Sequence, residues 1–487
     1  MAGRKRPKPS QTTVLIDLVH ARYDVMTDVT GQTFVAARTG PRIALPLSTS
    51  GAFARQLTRE FYDQMGTAPG SQALAGALRV IEAEATDQER IEIHLRCAGT
   101  QSGLVLDLGD VTGRVVVVRN GRWRVRETPP AGVVFRRTQM TAPLPTPRRG
   151  GDLDALRALA PVDDAGWDLL RAWLVLAWMP HVSVPILSIT GRQGAGKSVL
   201  ARTIVSIVDP SAAPIRSAPR DILEWQTTAA ASRVVALDNV SRISQDLSDA
   251  LCRAVSGEGA VKRRLYTDQE LIVQTFRRAV ILTSIDPGSL RGDLGERLMP
   301  IELSPLRKKR VTEQSIMSEL ARRIPVILGG LLDVVADVLA NPVPIRHPPR
   351  MADAAHVMAA VDQAVDSSSL SAYRQTQSRV VEIVLESDPL ASAVLDFMAN
   401  RREGWAGTAT DLRSSLLVHH RDGKNWPANP RSLSQRLARI APALEEAHGL
   451  VIARSRGDQR LIELKWSTRG PKRAHGAVAR RRSRQRR

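Results

Sequence analysis

Cysteine is nearly absent. Cys97 and Cys252 are the only two in 487 residues, too few for a disulfide framework or a structural zinc site. Long hydrophobic runs are missing as well. The most apolar span, residues 172–190, is broken by Pro180, His181 and Pro185. It reads as buried helix, loop and strand, not as a membrane span. The first residues lack the apolar core of a signal peptide, so a cytoplasmic or nucleoid-associated location is expected, without a membrane partner. Acids are missing from both ends. Residues 1–10 hold Arg4, Lys5, Arg6 and Lys8, and residues 469–487 hold nine more Lys and Arg, with no Asp or Glu in either stretch. Thirteen of the net +20 charges therefore sit in the tails, leaving +7 for the body. Such tails are disordered as a rule and bind polyanions by counterion release; a solubilising role is the alternative.

The length suggests about three domains. Composition shifts outline a basic tail (1–12), an N-terminal α+β domain with its linker (13–150), a core (151–310), a helical connector (311–390), a C-terminal domain (391–467) and a second basic tail (468–487).

Within the core, residues 184–198 read Val-Pro-Ile-Leu-Ser-Ile-Thr-Gly-Arg-Gln-Gly-Ala-Gly-Lys-Ser. Gly191, Gly196, Lys197 and Ser198 fit the phosphate-binding pattern G-x-x-x-x-G-K-[ST]. An apolar β-prone run precedes it and a helical pattern follows. Gly191, Gly194 and Gly196 let backbone N–H groups turn inward on an anion, with Gln193 and Ala195 between them. The helix N-terminus adds its positive end. Lys197 is expected to reach the β/γ-phosphates of ATP, and the Ser198 hydroxyl to ligate Mg²⁺. About forty residues on, Val234 to Asp238 is a short buried strand ending in an acid, which would hold the same Mg²⁺. Its successor is Asn239, where many such ATPases carry a second acid; Glu258 or Asp268 would have to serve instead, or hydrolysis is slow. Ala279 to Ser284 is a third buried strand, with Thr283 or Ser284 at its tip to sense the γ-phosphate. Arg297, on a short helix before the strand Ile301 to Leu303, is a candidate arginine finger; a salt bridge with Glu296 or Asp293 is its alternative. No guanine-selective Asn-Lys-x-Asp follows the loop.

In the N-terminal part, Val14, Ile16 and Leu18 alternate as a strand would, and so do Ile91, Ile93, Leu95 and Cys97. Residues 51–64 and 71–85 have helical spacing. Val115 to Val118, Asn120-Gly121, then Trp123 and Val125 predict a hairpin with a type I′ turn. Arg122, Arg124 and Arg126 share one face of it, solvated or touching nucleic acid. His94 reads as a structural residue, and Asp107 and Asp110 as turn residues before a metal pair. Pro and Gly at 141–152 mark a linker. The tryptophans of 153–179 read as core. Toward the C-terminus, helices at 390–401, 409–418 and 431–447 precede strands Leu450 to Ala453 and Leu461 to Leu464. Three helices and a hairpin follow the winged-helix order, for DNA or for a protein partner. Arg436 and Arg439 sit on its third helix and Arg456 on its wing.

These parts in this order resemble the superfamily 3 helicases. More closely, they resemble helicase-like ATPases of phages and other mobile elements in actinobacteria-type genomes. The matching stretches are Gln193 to Ser198, Leu237 to Ser241, Ser248 to Arg253, Arg264 to Asp268 and Gly292 to Leu294. The resemblance implies a multidomain α/β protein with an AAA+-type P-loop core. It also implies ATP and Mg²⁺ as cofactors, Lys262, Arg263 and Arg264 on a hairpin contacting single-stranded DNA, and a homo-oligomeric ring, expected to be a hexamer. A primase–polymerase is the implied partner. Two departures stand out: the sensor tip carries Thr or Ser in place of Asn, and no primase acids are evident. Two other readings remain, an ATP-switched DNA-binding protein with little hydrolysis and a packaging or loading ATPase.

Overall fold

Ser10 starts the first element. Its hydroxyl accepts the Thr13 N–H at 3.1 Å and caps a helix, Gln11–Arg22. The alternating Val14, Ile16 and Leu18 therefore do not form a strand. Leu15, Leu18 and Val19 are the buried positions, a helical spacing that packing preferred over the two-residue one. The strand begins only at Tyr23–Asp28. The computed structural model describes residues 9–101, 103–240, 243–257, 260–263, 271–274, 277–283, 292–304, 312–417, 426–455 and 461–467. It divides into two compact units, residues 1–285 with 299–372, and 286–298 with 373–487.

In the first unit, helices Ala52–Met65 and Ser71–Ala85 lie where the spacing predicts them. They join the first helix in a core of Leu15, Phe53, Leu57, Phe61, Leu78 and Ile81. The expected strand through Ile91 and Cys97 is cut into three pieces. Arg90–Ile91 pairs with the Tyr23–Asp28 strand, Ile93–His94 with Val134–Arg136, and Cys97–Thr100 with Gly103–Asp107. The chain changes sheets here, so one alternating run serves different partners. The last piece opens a four-stranded antiparallel sheet continued by Gly103–Asp107, Val115–Arg119 and Arg122–Arg126. Asn120 and Gly121 both have positive φ (52° and 69°), the type I′ turn that Asn-Gly favours. Asp107 and Asp110 hold the adjoining turn. Asp107 accepts from Gly109 N–H and from Arg137 at 2.7 and 2.9 Å, and Asp110 from Arg114 Nε at 2.7 Å. His94 is largely buried beside Phe135, and burial lowers its pKa.

The same unit holds a five-stranded sheet. Its spatial order is Arg216–Ser217, Val234–Asp238, Ala279–Thr283, Ile186–Thr190 and Leu298–Glu302, with the first three junctions parallel. Strands covered on both faces read as near-continuous apolar runs, and the four longer ones do; Arg216–Ser217 at the edge does not. Trp173 and Trp178 are fully buried in front of the sheet; their indole N–H groups donate to Pro185 O and Val208 O at 2.8 Å. Helices Glu313–Ala340 and Ala352–Val365 follow. Residues 148–152 run against the first of them: the N–H groups of Arg148 and Asp152 donate to Pro325 O and Val326 O at 2.8 and 3.0 Å.

The second unit contains helices Pro389–Met398, Ala409–Leu417 and Pro430–His448, and strands Leu450–Arg454 and Leu461–Trp466. A further strand, Trp405–Thr408, has no clear signal in the sequence; it pairs with Leu461–Trp466 and completes a three-stranded antiparallel sheet. Leu390, Val394, Leu412, Leu416, Leu433 and Leu437 are among its core. The third helix is capped at both ends. Asn429 and Ser432 form a reciprocal capping box, and Gly449 takes φ 73° at the C-terminus.

Candidate functional site

The site grows from the end of one strand. Ile186–Thr190 is a buried interior strand of the sheet, and the chain leaves it through Gly191, Gly194 and Gly196, whose φ values are 143°, 77° and 91°. Only glycine adopts such values without strain. The helix Lys197–Val208 begins directly behind Gly196 and has no acid in its first turn, so nothing on the helix offsets its positive end. Lys197 Nζ donates to Gly191 O and Arg192 O at 3.1 and 3.2 Å, which keeps the ammonium inside the loop. Gln193 and Gly194 are exposed, while Ala195 is buried.

Parallel pairing brings the C-terminal ends of three strands together, the edge where open α/β sheets bind ligands. Ser198 Oγ lies 2.8 and 3.0 Å from the two carboxylate oxygens of Asp238. Thr283 Oγ1 donates to Asp238 Oδ1 at 2.5 Å and accepts the Asn239 N–H at 2.9 Å. Asn239 itself has φ 52°, a left-handed conformation that Asn tolerates better than most residues. The donor set is a hydroxyl beside a carboxylate, hard oxygen ligands that suit Mg²⁺. Loop, helix end and oxygen pair thus fit a magnesium-bound polyphosphate.

One buried cluster that sequence reasoning missed holds this frame in place. Asp209, which ends the Lys197–Val208 helix, accepts Arg96 Nε at 2.9 Å and the N–H groups of Arg233 and Val234 at 2.8 and 3.0 Å. Arg96 is 1% exposed and comes from the N-terminal part. The end of the loop's helix and the start of the Asp238 strand are therefore fixed by one carboxylate. Residues 96 and 209 are far apart in sequence, and no motif marks either.

The remaining expected residues are placed as follows. Lys262 and Arg263 lie on the strand Ala260–Arg263, which pairs antiparallel with Leu271–Gln274 in the expected hairpin. Arg264, Ser284, Arg456, Glu258 and Asp268 lie outside the described residues. Arg297 belongs to the second unit and follows a short helix, Gly292–Gly295; its Nη1 donates to Asp293 O at 2.9 Å. Arg436 pairs with Asp388 at 3.0 Å, whereas Arg439 is exposed. Among the described residues no helix is long and apolar enough to cross a membrane.

Residues 153–382 match the family described as actinomycete integrative conjugative element replication protein. Residues 390–481 match the C-terminal domain of the same family. Together the two segments take in about two thirds of the sequence. The chain belongs to this family. As a member of these mobile-element replication proteins it carries Lys197, Ser198, Asp238, Thr283 and Arg297 in the first matched segment, and Arg436, Arg439 and Arg456 in the second. Two solved structures are similar. One is the apo A form of the NrS-1 C-terminal region, residues 305–718, at 11% identity and TM-score 0.41, covering 94% of this chain and 100% of that one. The other is SCCmec type IV Cch, described as an active helicase, at 13% identity and TM-score 0.43, covering 92% and 93%. No curated protein matches.

Proposed function

We propose that this replication protein is an ATP-driven DNA motor, a helicase-like P-loop ATPase of the AAA+ type. It works as a ring, hexameric by analogy with superfamily 3, on single-stranded DNA during mobile-element replication. The observation that carries this reading is the convergence of Ser198, Asp238 and Thr283 under the Gly191–Ser198 loop. The family of replication proteins supports the process. The strand order supports the class, because the Thr283 strand lies between the loop strand and the Asp238 strand.

Bound Mg²⁺–ATP would supply the phosphoanhydride to be cleaved. The chain's own residues do the rest. The loop N–H groups and Lys197 balance phosphate charge. Ser198 and Asp238 would hold the metal, and Thr283 fixes the orientation of Asp238. Arg297 of a neighbouring subunit stabilises the charge that develops in transfer. Lys262, Arg263 and Arg264 grip the strand in the ring channel. The C-terminal unit is a winged helix that adds DNA affinity through Arg439, Arg436 and Arg456, and a primase–polymerase is the partner. A cytoplasmic location follows from that role.

The test is ATP turnover with and without single-stranded DNA. Wild type is expected to turn over ATP and to be stimulated by DNA, and Lys197→Ala to lose at least about 100-fold, the scale of losing a principal electrostatic stabiliser. Equal, negligible turnover by both proteins would sink the motor. One observation favours a second reading, an ATP-switched DNA-binding protein: Asn239 follows the metal acid and spends its N–H on Thr283. That reading expects ATP binding without turnover.

A further inference from the structure

The Val115–Arg126 hairpin displays four arginines that neither the fold nor the ATP site uses. Residues 115–126 contain four arginines and no acid. The pairing sets Arg119 opposite Arg122, Val117 opposite Arg124 and Val115 opposite Arg126. Residues directly opposite share a face, and so do residues two apart on a strand. Arg119, Arg122, Arg124 and Arg126 therefore all stand on one face. All four are exposed. None of them has a side-chain ion pair or hydrogen bond to a described residue. The valines of the same face, Val115 and Val117, pack with Val105 and Phe135, and the opposite face buries Val116, Val118 and Trp123.

The hairpin is also held rigidly. Trp123 Nε1 donates to Asp333 Oδ1 at 2.7 Å, on the helix Glu313–Ala340. Arg149 stacks over the Trp123 ring at 5.1 Å and donates to the Trp123 carbonyl at 3.1 Å. Its arginines are thus displayed on a fixed frame, about 6.8 Å apart along the strand, on the order of the phosphate spacing of an extended nucleic-acid strand. Placing Arg119 directly across from Arg122 costs stability in the isolated protein, since like charges directly opposite are destabilising. An anionic partner removes that cost.

We propose that this face is a docking surface for the phosphodiester backbone of DNA, one that binds without reading sequence. Guanidinium groups match phosphate oxygens in a bidentate way, and phosphate contacts position a strand but do not specify it. The surface lies outside both segments matched by the replication-protein family. It does not depend on the ATPase reading.

A different role for the same residues is protection of an edge. Arg122–Arg126 is the outer strand of its sheet, and charged side chains discourage edge-to-edge pairing. One experiment separates the two. The full chain, without nucleotide, is titrated onto a fluorescein-labelled oligothymidylate over a range of NaCl concentrations, and binding is read by fluorescence anisotropy. Arg122→Glu/Arg124→Glu keeps the edge charged but repels phosphate. The expected result is at least a tenfold loss of affinity at low salt, with the same loss on a mixed-sequence strand. The plot of log K against log salt should become shallower by about 0.7 for each phosphate that the variant leaves unneutralised. Thermal unfolding should not move to lower temperature, because all four arginines are exposed and Arg122→Glu replaces a like-charge pair with Arg119 by an opposite-charge one. Arg122→Gln/Arg124→Gln should show the smaller slope change without repulsion. Unaltered affinity and slope in both variants would overturn the proposal. Because no nucleotide is present, that failure would leave the ATP turnover test untouched.

Discussion

The Thr283 hydroxyl faces two ways. It donates to Asp238 Oδ1 and accepts the Asn239 N–H, so one side chain sets both the rotamer of the acid proposed to hold the metal and the backbone that follows it. Thr283→Val keeps the shape and removes both bonds. Loss of a partner that orients a metal ligand costs about 10–100-fold in metal affinity or activity. Thr283→Val is therefore expected to lower ATP turnover by that factor and to raise the Mg²⁺ concentration needed for half-maximal rate; Thr283→Ser should restore both. An unshifted Mg²⁺ requirement would mean that Asp238 does not depend on Thr283 for its orientation. At this scale the residue types are legible in the sequence and the pairings are not. Thr283 and Ser284 are equivalent candidates in the sequence; the strand register brings Thr283 to the acid, and Ser284 lies outside the described residues.

Among the elements, the helix Glu313–Ala340 shows how a propensity rule is overridden. Gly329 and Gly330 lie inside it, where Ala would be favoured by about 1 kcal/mol. A Cβ on Gly329 would come within 1.7 Å of Arg148 O, and one on Gly330 within 2.3 Å of Leu153 N. The crossing segment 148–153 needs both glycines. Gly329→Ala is expected to destabilise the protein by about 1–3 kcal/mol, the usual cost of overpacking, measured as a lower midpoint in urea. A more stable variant would show that propensity alone governs the position. Element existence is broadly legible: the helices at 52–65, 71–85 and 430–448 and the Asn-Gly hairpin have local signals. The Gln11–Arg22 helix reads as a strand in the sequence because its apolar residues satisfy both periods. Only burial of Leu15 with Leu18 and Val19 selects the helical one.

At the scale of the whole molecule, charge is concentrated at the two ends of the chain, beyond a body that carries only +7. Removing residues 469–487 takes away nine positive charges and no acid. Each phosphate left unneutralised should flatten the salt dependence of binding to single-stranded DNA by about 0.7. The truncated chain is expected to bind single-stranded DNA at least tenfold more weakly at low salt, by anisotropy, with DNA-independent ATP turnover unchanged. Unchanged affinity would assign the tail a solubilising role.

Sequence by itself determined the glycine-rich turn at 191–198, the apolar strands that lead to Asp238 and Thr283, and the distribution of charge. Each of these is written in neighbouring residues: glycine placement, runs of β-branched side chains, clustered arginines. Tertiary structure alone decided which hydroxyl meets Asp238, how the run from Ile91 to Cys97 is shared among three strand pairings, and that Arg96 reaches Asp209. Those choices depend on which distant strands become neighbours, and burial of polar groups enforces them. A buried guanidinium or carboxylate is costly unless paired, so the fold that satisfies Arg96 and Asp209 also fixes the helix behind Gly196, Lys197 and Ser198.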